Sequence, residues 1–165
     1  MTVPQAVALS AVALLPLVAA RKSETAYRLV AAGFAVSFCA DMIAIAQGGS
    51  WGVLHFLPSI QLGLFAYAFG SVLVPALLFS MTLVGPYDQP DMLVTVVGSG
   101  FVLFLAQGHP LFGSMVLYCF VGSALYLLLL PEIQTPAFMP LWYPYQAARF
   151  GAFFLFARAV HAQHD

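Results

Sequence analysis

This sequence is short of charge before anything else: five Lys and Arg and six Asp and Glu stand among 165 residues, for a formal net charge of −1. So little charge cannot cover the surface of a water-soluble core. It also gives no basic field for nucleic acid and no Lys/Arg cluster large enough for a dedicated anionic-lipid site. Cysteine is rarer still. Cys39 and Cys119 both fall within apolar runs, where they behave as small hydrophobes, so a disulfide framework and a CxxC metal or redox site are both excluded. GxSxG, HExxH, P-loop and dinucleotide fingerprints are missing as well, so no motif argues for an enzyme or a cofactor. The opening stretch MTVPQAVALSAVALLPLVAARKS has no basic residue ahead of its apolar run. Its charges follow the run, which reads as a retained first span rather than a cleaved signal peptide.

What the chain does have is hydrophobicity: 62% of residues are apolar and the mean hydropathy is +0.96. The fold class that follows is all-α, a polytopic integral membrane protein forming one bundle of about six transmembrane helices with short loops. The spans read as residues 3–20, 27–47, 57–84, 92–107, 111–130 and 141–161 of a single domain. Pro16 and Pro75 are expected to kink the spans that hold them. The short GHP turn predicts an antiparallel hairpin of the fourth and fifth spans. Loop RKSETAYR holds Arg21, Lys22 and Arg28, which places it in the cytoplasm by the positive-inside rule. With six spans, both termini are then external.

Span 27–47 carries the residue that most needs explaining. Asp41 lies within it, and an Asp at the centre of a membrane helix costs on the order of 2.5–3.5 kcal/mol on the insertion scale. It therefore faces other helices or a water-filled cavity. Gly33, Ser37 and Asp41 recur every four residues and give this helix a small, polar face for packing. Gly63 and Gly70 in the third span, and Ala148 and Ala152 in the sixth, are read as packing residues of the same kind. The partners open to Asp41 are Arg149 and Arg158. Nine residues apart, they point in nearly opposite directions, because nine residues turn a helix through about 900°. Only one can meet Asp41; Arg149 needs a partner more, since Arg158 can snorkel to the surface. The pair is either a structural lock or a proton, ion or ligand site.

Under this topology His55, His109, His161 and His164 share the external face. His55 and His109 are weak candidates for a metal or haem, without a recognised ligand spacing. Gln61, Gln107 and Gln146 sit near span ends, where amides bridge helices or reach water, and Trp142, Tyr143 and Tyr145 suit the membrane interface. The functional reading is a non-enzymatic integral membrane protein that works by helix association, as an accessory or scaffold subunit of a membrane complex or as a homo-oligomer. Its partners are the lipid bilayer and a protein partner or second copy, not nucleic acid. The alternatives are a small proton- or ion-coupled transporter or channel titrating at Asp41, and a membrane-embedded lipid-modifying enzyme in which His55, His109 and Asp41 converge.

Overall fold

The computed structural model describes residues 3–47, 56–84, 90–129 and 138–163. The described residues are helical, without strands, and form seven helical segments. Helix α1 (Val3–Lys22) holds two 3-10 turns, Val12–Leu14 and Ala20–Lys22. The first accommodates Pro16: a proline cannot donate to the Val12 carbonyl, and the Leu15 N–H does so instead. Next come α2 (Thr25–Gln47), α3 (Leu57–Ala68), α4 (Leu73–Val84) and α5 (Pro90–Leu105). Helix α6 covers residues 112–129 and is wound as a π-helix from Val116 to Gly122, and α7 runs from Phe138 to Ala162. Val3–Lys22 and Thr25–Ile43 are long and apolar enough to cross a membrane; Leu57–Ala68, Leu73–Val84, Met92–Leu105 and Phe112–Leu125 are shorter apolar helices.

The stretch 57–84, expected to be one tilted span, is two antiparallel helices. Gly70 takes φ +90°, a left-handed conformation that suits glycine, and closes α3 in a Schellman motif. In it the Ser71 N–H donates to the Ala66 carbonyl and the Gly70 N–H to the Tyr67 carbonyl, each at 3.0 Å. Ser71 Oγ then accepts the Val74 N–H at 3.2 Å, and Pro75 sits in the first turn of α4, where its missing donor is harmless. Gly70 is therefore a turn residue rather than a helix-packing one, and Pro75 opens a helix rather than kinking one.

The extra reversal changes how the ends are arranged. His109, in the turn between α5 and α6, stacks on Tyr27 at 5.7 Å and on Phe69 at 5.1 Å, while Tyr27 also meets Phe156 of α7 at 6.1 Å. The α1–α2, α3–α4 and α5–α6 turns and the final turns of α7 thus share one end of the bundle. Val3 starts at the other. With seven helical segments in place of the expected six, the first and last described residues lie at opposite ends of the bundle. Four of the five Lys and Arg residues, Arg21, Lys22, Arg28 and Arg158, are exposed towards the shared end, hereafter the basic end.

Each helix packs on its neighbours in sequence, α3 also contacts α5, and α1 closes on α7. The small residues are used up inside this arrangement. A Cβ added at Gly33 would stand 2.4 Å from the Phe65 ring, and Gly63 faces Pro75. Ser37, Ala148 and Ala152 are buried. Such close approach supplies dispersion contacts that hold the helices together.

Candidate functional site

Five helices meet at one buried polar centre. Asp41 on α2 and Arg149 on α7 are both fully buried, and the Arg149 guanidinium donates to Asp41 Oδ2 in a direct ion pair. Helical spacing completes the first ring of partners. Ser37, one turn before Asp41, accepts from Arg149 Nη2 at 2.6 Å and donates to the Phe34 carbonyl at 2.6 Å. Tyr145, one turn before Arg149, donates to Asp41 Oδ1 at 3.0 Å, and the guanidinium carbon stands 5.0 Å from the Tyr145 ring centre. Gln146 on α7 accepts from Arg149 Nη1 at 3.4 Å and donates to Ser10 of α1 at 3.3 Å. On the other flank Gln61 of α3 donates to the Gly33 carbonyl at 2.9 Å and to the Tyr118 hydroxyl of α6. Both charges are met by an opposite charge and neutral dipoles, the condition under which a buried pair can persist. Arg149 Nε is the exception, a buried donor without a partner among the described residues.

A cavity of about 30 Å³ adjoins this centre, with Ser37, Gln61, Tyr118 and Tyr145 among its polar lining and Ala40, Leu57 and Pro58 among its apolar lining. That is room for one or two groups of water size. It is closed towards the basic end. Phe34, Phe65 and Phe153 each lie one turn beyond Ser37, Gln61 and Arg149 in that direction, and Phe34 touches Phe65, Tyr118, Phe153 and Phe156 at ring separations of 5.4, 5.0, 4.9 and 5.6 Å. The Tyr118 hydroxyl, at the edge of that aromatic cluster, is turned to Gln61 in the polar network.

Arg158 is exposed towards the basic end, away from Asp41. His109 is also remote: it contacts Tyr27, and about 21 Å of α2 separates Tyr27 from Asp41. The enzyme reading that required His109 beside Asp41 fails on this distance; His109 and His161 do share one end of the bundle, but it is the basic end rather than the opposite one. His55 and His164 lie outside the described residues. Among the described residues no three His, Cys, Asp or Glu side chains gather into a metal site. Trp142 and Tyr145, expected at the interface, are buried, and only Tyr143 of that cluster is exposed. Tyr145, Tyr118 and Ser10 were missed as members of the centre. The i to i+4 spacing of Tyr145 and Arg149 was the available signal for the first; nothing in the sequence marks the other two.

His109 carries a pH dependence of its own. Its ring is half-buried against Tyr27 and Phe69, and its Nδ1 accepts the Leu111 N–H at 3.2 Å, which requires the neutral form. Burial pushes its pKa below the ordinary 6.5, and the Glu24 charge offsets part of this. Above pH 6.5 the residue is neutral whether the chain is folded or unfolded; below it the unfolded chain takes the proton first. Stability is thus fully present above 6.5 and falls as the pH drops towards the folded value. Thermal unfolding in detergent should show an acid-side loss that is smaller in His109→Phe. An unchanged pH profile in that variant would contradict the assignment.

Compared with known protein families, characterised proteins and solved structures, the chain matches none.

Proposed function

We propose that the chain is a multi-pass integral membrane protein, its basic end in the cytoplasm, that binds a small ligand in the cleft beside the Asp41–Arg149 pair. The single observation that carries this reading is a one-sided polar centre: a committed ion pair and a cavity on one side of an aromatic layer, with Phe34 at the middle of that layer. A proton carrier needs a carboxylate that can let go of its partner and a polar path on both sides. Here Asp41 is held by a guanidinium and a phenol, and the path stops at Phe34. The orientation rests on the exposed Arg21, Lys22, Arg28 and Arg158 at one end, with no basic residue in the remaining connections of the chain. Association with a partner or a second copy is less well supported, because Gly33, Ser37, Gly63, Ala148 and Ala152 are spent within the bundle.

Sided accessibility tests the reading. In a chain with Cys39 and Cys119 replaced by alanine, Ala40→Cys should react with a charged, membrane-impermeant thiol reagent added outside, and not from the cytoplasm. Ala66→Cys, buried at the level of the aromatic layer, should react from neither side. A reporter fused after Asp165 should be cytoplasmic. Modification of Ala40→Cys from the cytoplasmic side, or an external reporter, would reverse the assignment.

A further inference from the structure

Resting on that cleft reading, we infer that the cleft opens sideways into the bilayer between α5 and α6, and that its ligand is a neutral long-chain amphiphile with a hydroxyl or carbonyl head. Thr95 of α5 and Ser123 of α6 line the polar cavity, and the same two residues line a second, apolar groove of about 320 Å³. The groove runs outward from them past Val96, Gly100, Leu103, Phe120 and Ala124. A polar cavity and an apolar groove that share Thr95 and Ser123 match a molecule that is polar at one end and apolar along its length. A bilayer supplies such molecules laterally.

Two local features shape this portal. A Cβ at Gly100 would meet nothing within 4 Å, so the α5 wall is open at that level. The π-wound stretch Val116–Gly122 places Tyr118 and Gly122 on the cavity side, Cys119 in the groove and Phe120, 71% exposed, towards the outside. π-Helical segments of this kind recur at functional sites.

The head group follows from charge and size. Asp41 and Arg149 neutralise each other and neither is exposed, so the cleft offers no unpaired charge to an ionic head. A cavity of about 30 Å³ takes a hydroxyl or carbonyl group, not a sugar or a phosphocholine. The polar atoms that line the cavity, the Ser37, Tyr118, Tyr145, Thr95 and Ser123 hydroxyls and the Gln61 amide, are neutral and suit a neutral hydrogen-bonding head.

The test uses the full chain in nanodiscs with a C16 monoacylglycerol bearing a mid-chain diazirine. After illumination, adducts should concentrate on Val96–Leu103 and Phe120–Ala124. Unlabelled monopalmitoylglycerol or hexadecanol should compete, and lysophosphatidylcholine should not. Gly100→Trp, which adds bulk to the groove from a position where a Cβ meets nothing, should lower adduct yield there about tenfold while leaving the melting temperature unchanged. Adducts spread evenly over lipid-facing residues such as Leu17, Phe104 and Phe154, and insensitive to competitor and to Gly100→Trp, would overturn the inference. That result together with outside-only reactivity of Ala40→Cys would remove the lateral portal and leave the cleft. Loss of both would remove the cleft as well.

Discussion

Asp41→Asn should be the most damaging conservative substitution in the protein, costing about 3–5 kcal/mol, because it strands a buried guanidinium that cannot shed its proton. Arg149→Met should cost less, about 2 kcal/mol, since an abandoned carboxyl can take up a proton and remain as a neutral hydrogen-bonding group. The asymmetry is the informative part. If the pair is a fixed structural charge, Asp41→Leu with Arg149→Met should recover most of the loss, as replacing both members of a buried pair by apolar groups is often neutral. Ser37 and Tyr145 would each lose a charged partner in the double variant, which sets the remaining penalty at about 1–2 kcal/mol. Reversible unfolding in mixed micelles measures all three. A double variant as unstable as Asp41→Asn would show that the network, not the charge balance, carries the energy.

Phe34→Ala should be the second-largest loss, about 3 kcal/mol, and should also change access to the centre. In a water-soluble core, removing a buried Phe costs about 3–5 kcal/mol. Within a bilayer the transfer part of that cost shrinks, because lipid tails are as apolar as the ring they replace. The cavity and the four ring contacts of Phe34 remain, each contact contributing about 0.5–1.5 kcal/mol. Because Phe34 lies between Ser37 and the basic end, the variant should let solvent reach the polar centre from the basic end. Amide exchange over residues 33–41 should rise in Phe34→Ala and not in Phe154→Ala, whose side chain is 69% exposed. Equal exchange in the two variants would mean that Phe34 fills space without sealing anything.

Several features were legible in the residues themselves. The helical class follows from apolar runs too long and too poor in charge for a soluble shell. Asp41 and Arg149 could be matched because two uncompensated charges in apolar helices restrict each other's options, and because nine residues of helix turn Arg158 away. The hairpin around the α5–α6 turn was visible in its glycine and proline. The division of residues 57–84 was harder to see. Gly70, Ser71 and Pro75 carry the stop and start signals of two helices, but they lie in an apolar run with no charged residue to mark a surface, and length alone favours one tilted helix. The error propagated, since one missed reversal moved the C-terminal turns, and His109 and His161, to the basic end.

The sequence by itself determined helices, the membrane-like composition and the need of Asp41 for a cation, because these depend on local hydrogen bonding, residue counts and the cost of a lone charge. Only the tertiary structure decided which phenols and amides complete the centre, that Phe34 packs on one side of it, and that Thr95 and Ser123 line both the polar cavity and an apolar groove. Those facts depend on the rotation of each helix about its own axis. Rotation is set by the packing of five or more side-chain surfaces at once, and a helix that is apolar all round carries almost no amphipathic pattern to record it.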